Sequence, residues 1–270
     1  MAGDSVAVDW LVFLEEIADR GDEIARRHFG RASLRVEAKA DLSPVSEADR
    51  AIETAARRIA SERHPELGVL GEEEGESGSS DLRLIIDPID ATKNFVRRIP
   101  IFGTLLAIEA HGEIVAGVVS APLLGSRWRA ARGCGAFLGS SRLQVSRVAR
   151  LEEAQLFHGD LIGAREEAPP GRLAGLAGRP SRARGFGDFY QHVLVAQGSG
   201  DVAIDPALSP WDAAPLLLLV EEAGGRATSL QGERTIYGGS LVTSNGRLHD
   251  EVLAVVGGGA SARSGEAEGM

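Results

Sequence analysis

Apolar residues recur at helical spacing in two stretches near the N-terminus. The first stretch, residues 5 to 29, places them on one helix face with charged residues between. A second helix is predicted from Ser46 until His64-Pro65 ends it. A brief strand, 68 to 70, then delivers the sequence GEEE. The apolar positions that carry the two helices are Trp10, Phe13, Leu14, Ile17 and Ile24, and then Ile52, Ala55, Ala56 and Ile59.

From Leu82 to about Phe137 the pattern changes to that of strands. The segments IFGTLLAIEA, EIVAGVVSAP and SRWRAARG, with a turn at His111-Gly112 after the first, predict an antiparallel meander. The run LII at 84 to 86 is typical of a buried strand, and two aspartates separated by Pro88 and Ile89 follow it. We expect Asp87 and Asp90 to mark the end of this strand.

Beyond about residue 150 short strands alternate with helices. The strands are predicted in AQLFHG, SRARGF, DVAID and SLVTSNG, and the helices in YQHVLVAQ, in WDAAPLLLLVEEAGG and after the last strand. The fold class is therefore α/β, with helices that cover sheets in both an N-terminal α+β half, about 1–145, and a C-terminal α/β half, about 146–256. The polar, unpatterned end, 257–270, predicts a disordered tail.

Composition narrows the class of protein further. A chain of 270 residues with 43% hydrophobic residues can bury a real core. The net charge of −10 argues against nucleic-acid or anionic-membrane partners. The longest apolar runs are far short of a membrane span, and the N-terminus lacks the features of a signal peptide, so we expect a cytoplasmic protein. The single cysteine, Cys134, excludes intramolecular disulfides and cysteine-based zinc clusters.

Four acidic residues stand at the ends of apolar segments: Glu72, Asp87, Asp90 and Asp212. Each has an ordinary alternative explanation, such as a solvated acidic run for Glu72 or a favourable acid in a helix's first turn for Asp212. Like charges held together repel, however, and a simple turn needs no pair of carboxylates. Together these acids suggest a site for a hard cation such as Mg²⁺, which prefers oxygen ligands.

The sequence resembles that of the inositol monophosphatase superfamily. The stretch DPIDATKNF is similar to the family signature D-P-[IL]-D-G-T-x-N-F, and GEEE, VSEAD and WDAAPLLLLVEEAGG are similar to its G-E-E, V-T-x-x-D and W-D-x-A…EAGG elements. The order and approximate spacing of all four agree between about 39 and 225. The resemblance implies a layered αβαβα sandwich, a single phosphatase fold over 1–256, Mg²⁺-dependent phosphomonoesterase activity and a homodimer.

The resemblance also implies the metal ligands. Two or three Mg²⁺ ions would be bound by the four carboxylates already named and by the backbone carbonyl of Ile89. Glu72 would thereby take part in catalysis as well as in metal binding.

The attacking water would be positioned or activated by Thr92 and Asp49. An alternative for Asp49 comes from the sequence itself, because Ser46-x-x-Asp49 before an apolar helical pattern is also a capping box. Both interpretations can hold at once, and Ser46 keeps the hydroxyl of the threonine usual in the family.

Phosphate would be bound by the backbone N–H groups of Ala91 and Thr92 if they open a helix. Ala91 departs from the family signature, which has glycine there. A positive φ would strain the alanine by an amount on the order of 1 kcal/mol, whereas a right-handed helix start would not. We expect the right-handed conformation for Ala91, and we interpret Lys93, two residues further on, as a surface lysine.

The leaving-group pocket would include Gly187, Asp188 and Asp205, together with Asp90 and Asp212. Carboxylates fit a cationic alcohol such as histidinol, although a polyol can also be held through its hydroxyl groups. Ordinary alternatives are an acid at a helix start for Asp188 and a strand-end turn for Asp205.

The segments DATKNFVRRIP, RWRAARGCGAF and RARGFGDF are similar to the histidinol-phosphatase members of the superfamily. The expected substrate is therefore a small phosphorylated metabolite, L-histidinol phosphate, in histidine biosynthesis. Two alternatives remain: an inositol-1-monophosphatase or broad-specificity phosphatase, and a non-catalytic metal-binding relative.

Overall fold

The computed structural model describes residues 2–38, 44–159 and 170–257. A short 3₁₀ turn lies at Leu151–Glu153. The α-helices of these ranges are α1 Ala2–His28, α2 Glu47–Arg63, α3 Thr92–Val96, α4 Pro170–Ala177, α5 Asp188–Ala196, α6 Pro210–Glu222 and α7 His249–Val256.

The strands form a small hairpin and two larger sheets. The hairpin consists of β1 Val36–Ala38 and β2 Pro44–Ser46. The eight-stranded sheet contains β3 Gly68–Gly71, β4 Gly75–Ser77, β5 Leu82–Asp90, β6 Gly103–Ala110, β7 Glu113–Ala121, β8 Ser126–Ala131, β9 Gly135–Leu138 and β10 Ser141–Arg142. The five-stranded sheet contains β11 Gln155–His158, β12 Arg182–Gly185, β13 Val202–Asp205, β14 Arg226–Thr228 and β15 Leu241–Ser244.

The eight-stranded sheet confirms the predicted meander. Its order is β10-β9-β8-β7-β6-β5-β3-β4, and its pairs are antiparallel except that β3 and β5 run parallel. Because β3 and β5 are parallel neighbours, their carboxyl ends lie at the same edge, and Glu72 N donates to Ile86 O at 3.3 Å. The pairing of β5 with β6 shifts register between Asp87 and Asp90, and Pro88 lies in this irregular part, where its missing N–H does no harm.

Successive side chains of β5 point to opposite faces of the sheet. Leu84 and Ile86 pack in the cluster that contains the apolar faces of α1 and α2, whereas Ile85 packs in the cluster that contains α5 and α6. Both predicted N-terminal helices are thereby confirmed as core helices. Helix α6 is buried from Ala213 to Val220 because it lies between the two sheets, and Leu241 of the second sheet belongs to the same cluster.

The five-stranded sheet has the order β12-β11-β13-β15-β14, and its outer face is covered by α4 and α7. The layers are therefore α1 and α2, the large sheet, α5 and α6, the small sheet, and α4 and α7. This is the predicted αβαβα sandwich. The sequence pattern missed α4, the hairpin, β4, β10 and β14, all of which are short.

The sequence also predicted a disordered C-terminal tail and no membrane-spanning segment. Apart from Gly257, which ends α7, the predicted disordered tail 257–270 lies outside the described residues. Within the described ranges, no helix combines the length and the apolar character that crossing a membrane requires.

Candidate active site

A cavity of about 430 Å³ opens where the carboxyl end of β5 faces the small sheet. The main-chain turn after β5 borders it on one side, and residues that follow β11, β12 and β13 border it on the other. Residues from both halves of the chain therefore meet here. The lining includes Glu72, Thr92, Lys93, Phe186, Asp188 and Asp205.

Three carboxylates form a compact cluster beside this cavity. Asp87, Asp90 and Asp212 each offer an oxygen, and these atoms all lie within 4.8 Å of one another. The first two come from the end of β5. Asp212 comes from the first turn of α6, where Ser209 N donates to its Oδ2 at 2.7 Å and completes a capping box. Asp212 is therefore an acid in a helix's first turn, as the alternative explanation had it, and this position is compatible with membership in the cluster.

Backbone amides hold the cluster in place. Phe189 N, in the first turn of α5, donates to Asp90 Oδ2 at 2.7 Å. Asp90 thus joins the end of β5 to α5 of the other half. Asp87 is only 2% exposed, so water does not compensate for the charges gathered around it.

Burial and like charges raise the pKa values of all three acids. For Asp87 the causes, after burial, are the charges of Glu72, Asp90 and Asp212 and a hydrogen bond with Glu72. Burial likewise raises the pKa of Asp90, and the charge of Asp188 adds to it. Burial raises the pKa of Asp212 to about 7, against the lowering effect of its hydrogen bond from Ser209. The pocket is therefore strongly electronegative when its acids are ionised.

The donor set fits a hard cation. Asp87 Oδ1 is buried and has no hydrogen-bond partner, which is a costly state for a carboxylate oxygen unless a positive charge shares it. The cluster supplies only oxygen ligands, as Mg²⁺, Mn²⁺ and Ca²⁺ prefer. Glu72 forms a hydrogen bond with Asp87, so it lies next to the cluster of the other three carboxylates predicted from the sequence.

The predicted water-activating pair is also brought together. Thr92 Oγ1 lies 3.3 Å from Asp49 Oδ1 and 2.9 Å from the carbonyl oxygen of Ile89. The hydroxyl has one hydrogen, so it donates to one of these two oxygens at a time, and the Ile89 carbonyl keeps a free lone pair in either case. Asp49 is wholly buried, and burial raises its pKa to about 6. Ser46 N donates to its other oxygen, Oδ2, at 2.9 Å, so the capping box exists as predicted and leaves Oδ1 for Thr92.

The expectation for Ala91 is wrong. Its φ of 66° and ψ of 45° place it in the left-handed region, at the N-cap of α3. The chain reverses at this one residue from the end of β5 into α3, since Asn94 N and Phe95 N both donate to Ala91 O. Only glycine adopts this conformation without strain, which explains why the similar signature has glycine here.

Lys93 is exposed, as predicted, and it also borders the cavity. Desolvation of the Asp188 carboxyl and the charge of Asp205 raise the pKa of Asp188 to about 6, and the charge of Lys93 opposes this rise. Asp188 itself has a φ of 52° and follows Gly187, which has a φ of 72°. These two unusual conformations turn the chain into α5 at the mouth of the cavity.

Sequence reasoning missed the groups that surround Asp205. Gln191 Nε2 donates to Asp205 Oδ2 at 2.6 Å, and His192 Nε2 lies 3.1 Å from the same oxygen. Phe186, 41% exposed, adds an aromatic wall to the cavity. Gln191 and His192 lie in the apolar run of a helix, and their only sequence signal is that they are polar among residues of a core-facing helix.

The αβαβα fold and the carboxylate cluster agree with a phosphoric monoester hydrolase whose site can bind a metal ion. The chain belongs to the inositol monophosphatase family, whose model matches residues 8–258.

Similar proteins agree with this assignment. The chain is 46% identical to a histidinol-phosphatase of Mycobacterium tuberculosis over 91% of its own length and 96% of that protein. It is 42% identical to a histidinol-phosphatase of Streptomyces coelicolor, again over 91% of its own length and 96% of that protein. Among solved structures, the extragenic suppressor protein suhB of Bartonella henselae superimposes with a TM-score of 0.84 at 30% identity, covering 92% of this chain and 98% of that one.

Proposed function

We propose that this chain is a Mg²⁺-dependent histidinol-phosphatase, which hydrolyses L-histidinol phosphate to L-histidinol and phosphate. The observation that carries the proposal is the position of Asp188 and Asp205 at the cavity, beside the carboxylate cluster. A phosphate held at the cluster would leave its alcohol next to these two acids. Two relatives that match almost the whole chain are histidinol-phosphatases, which supports the same substrate.

Glu72, Asp87, Asp90, Asp212 and the Ile89 carbonyl would hold two or three Mg²⁺ ions. When bound, Mg²⁺ neutralises charge on the phosphate and on the leaving oxygen and makes water a stronger nucleophile. The carboxylates of this chain fix the place of that positive charge. They do so from a strand end and a helix start that the core holds rigidly, so little has to be reorganised when substrate binds.

Thr92 and Asp49 would orient the attacking water and take its proton. The hydroxyl of Thr92 faces Asp49, and a carboxylate with a pKa of about 6 is mostly ionised at neutral pH yet basic enough to accept a proton. The backbone N–H groups of Ala91 and Thr92 would bind phosphate oxygens.

Asp188 and Asp205 would bind the amino and imidazole groups of the histidinol portion, with Gly187 placing Asp188. Charge-assisted hydrogen bonds to such groups are stronger than those to neutral hydroxyls. The alternative substrate is inositol 1-phosphate, because the same carboxylates can accept hydrogen bonds from a polyol. A non-catalytic relative would have no reason to keep four mutually repelling acids in one cluster.

We further propose that the chain works in the cytoplasm as a homodimer with a single phosphatase fold over 1–256. The net charge of −10 supports the absence of nucleic-acid partners. Sedimentation equilibrium of the purified protein measures the oligomeric state, and a monomeric mass would contradict the proposed dimer.

The deciding experiment compares kcat/KM for L-histidinol phosphate and inositol 1-phosphate in Mg²⁺, with EDTA as the control. We expect a preference for histidinol phosphate of about a hundredfold or more, roughly 2.7 kcal/mol of transition-state discrimination. Comparable kcat/KM values for the two esters would contradict the histidinol assignment and indicate a phosphatase of broader specificity. If no ester releases phosphate in a metal-dependent way, the non-catalytic alternative is favoured instead.

A further inference from the structure

We propose that Glu53 is the positioning residue that holds Glu72 in place for cation binding. The inference rests on the proposed role of Glu72 as a metal ligand. Glu53 lies on α2, four residues after Asp49, and is wholly buried. A buried carboxylate that does not touch solvent is costly, so its partners indicate what it does.

The carboxylate of Glu53 accepts hydrogen bonds from the backbone that follows Glu72. Glu73 N donates to Oε2 at 2.8 Å, and Glu74 N donates to Oε1 at 3.0 Å. These amides belong to the turn between β3 and β4, where the strand pairing does not reach them. Glu53 therefore takes the place of a sheet partner and fixes the turn that carries the metal ligand.

The carboxylate of Glu53 also lies close to the backbone of Gly71, on the other side of Glu72. A Cβ added to Gly71 would collide with the carboxylate of Glu53, so the backbone directly before Glu72 lies against the same side chain. One carboxylate of α2 thus holds the turn by hydrogen bonds at residues 73 and 74 and packs against it at residue 71. Glu72 itself, between these points, borders the cavity.

Arg57, on the next turn of α2, adds further contacts to Glu53 and to the residues that follow the turn. Its Nε and Nη2 donate to Glu53 Oε1 at 3.0 and 2.7 Å. The same guanidinium donates to Gly75 O at 2.6 Å and to Ser77 Oγ at 2.9 Å. Arg57 thereby balances the buried charge of Glu53 and ties the start of β4 to the helix.

This arrangement makes α2 the common support of two parts of the site. Asp49 of its first turn faces Thr92, and Glu53 of its second turn holds the segment around Glu72. Glu53 is absent from the cavity lining, so its effect on cations acts through the position of Glu72. Residues that orient metal ligands typically change metal affinity about 10–100-fold when substituted.

The test is direct Mg²⁺ binding by titration calorimetry to the wild-type protein and to Glu53→Gln. The glutamine keeps the size of the side chain but replaces one acceptor oxygen by an amide that donates, so it cannot accept from both Glu73 N and Glu74 N. We expect the Kd for Mg²⁺ to rise about tenfold or more. In activity assays the Mg²⁺ concentration for half-maximal rate should rise in parallel, with a smaller change in kcat at saturating Mg²⁺.

Glu62→Gln is the matched control. Glu62 lies on the same helix, is 58% exposed and pairs with Arg58 at 2.9 Å, away from the turn. Its Mg²⁺ affinity should equal that of the wild type. Gly71→Ala is the second variant, because its methyl group displaces the Glu53 carboxylate without changing its charge, and it should weaken Mg²⁺ binding as Glu53→Gln does.

Wild-type Mg²⁺ affinity in a folded Glu53→Gln or Gly71→Ala protein would overturn the inference and leave Glu53 a role in folding alone. Failure of the proposed function gives a different result. In that case the wild-type protein would bind Mg²⁺ and hydrolyse neither phosphate ester, while the difference in Mg²⁺ affinity between wild type and Glu53→Gln would persist.

Discussion

The imidazole of His192 lies directly behind the carboxylate of Asp205, with Nε2 3.1 Å from Oδ2. A carboxylate only accepts hydrogen bonds, so Nε2 carries the proton, and Nδ1 lies 2.8 Å from Thr243 Oγ1 on its other side. His192 is wholly buried. Gly159 lies against the other oxygen of Asp205, where a Cβ would collide with it. Asp205 is therefore fixed in one orientation at the cavity.

This orientation makes Asp205→Asn a test of the leaving-group pocket. The asparagine keeps the shape but removes the charge, so kcat/KM for histidinol phosphate should fall about tenfold or more, since a charge-assisted hydrogen bond becomes a neutral one. The value for inositol 1-phosphate should change less. Asp250→Asn, at a side chain that is 84% exposed on α7, should leave both values unchanged. Equal losses of kcat/KM for both substrates would show that Asp205 does not recognise the positive charge of the leaving alcohol.

Asp90→Asn should abolish most of the phosphatase activity while the fold survives. Asparagine still offers an oxygen to Phe189 N, so the link between β5 and α5 is kept, but the charge that would bind the cation is lost. We expect a loss of kcat/KM of about a thousandfold, roughly 4 kcal/mol, measured as phosphate release under saturating Mg²⁺. The melting temperature and the circular dichroism spectrum serve as the check on folding. Unchanged phosphate release would mean that the site is wrongly assigned.

The acid cluster also predicts how Mg²⁺ and pH act together on stability. Burial raises the pKa of Asp212 to about 7, and the pKa values of Asp87 and Asp90 are raised by burial and by neighbouring charges. Such groups hold protons more tightly in the folded than in the unfolded chain. In EDTA, the stability that they contribute is therefore present at low pH and is lost as the pH rises through these raised values.

Bound Mg²⁺ should replace those protons. The rise in melting temperature on adding Mg²⁺ should therefore be larger at about pH 8 than at about pH 5.5, as measured by calorimetry at constant ionic strength. At a hundred times the Kd, binding to the folded state alone stabilises by about 2.7 kcal/mol. Sodium at matched ionic strength is the control. An effect of Mg²⁺ that does not depend on pH would contradict the assignment of these carboxylates as its ligands.

Elements that are decided by local sequence patterns could be predicted, whereas contacts between residues far apart in the sequence could not. Helices α1 and α2 and the meander have long periodic patterns, and burial of those apolar faces decides their structure. Glu72, Asp87, Asp90 and Asp212 were found because each stands at the end of an apolar segment and because these segments resemble known motifs. Glu53 and His192 escaped notice, since a single polar residue in a helix says nothing about which backbone or side chain it meets in space.

Ala91 shows a different limit, because its conformation is decided by tertiary structure against local preference. A sequence that resembles a helix start there favours the right-handed region. In the structure, however, the end of β5 and the start of α3 are both fixed by packing, with Ile89 and Phe95 buried on either side. The residue between them must take a φ of 66°, whatever its own preference. Steric strain is therefore stored at one position beside Thr92, the residue proposed to orient the attacking water.

Ala91→Gly should relieve that strain. Left-handed backbone costs a non-glycine residue about 1–2 kcal/mol, and glycine gives back part of the gain because it is more flexible when unfolded. We expect the free energy of unfolding to rise by about 1 kcal/mol in urea titrations, with kcat/KM within about threefold of the wild type because both N–H groups remain. The contrasting substitution is Ala55→Gly in α2, where glycine should cost about 1 kcal/mol. A destabilised Ala91→Gly protein would mean that the methyl group, which packs beside the cluster of α1 and α2, contributes more than the strain it causes.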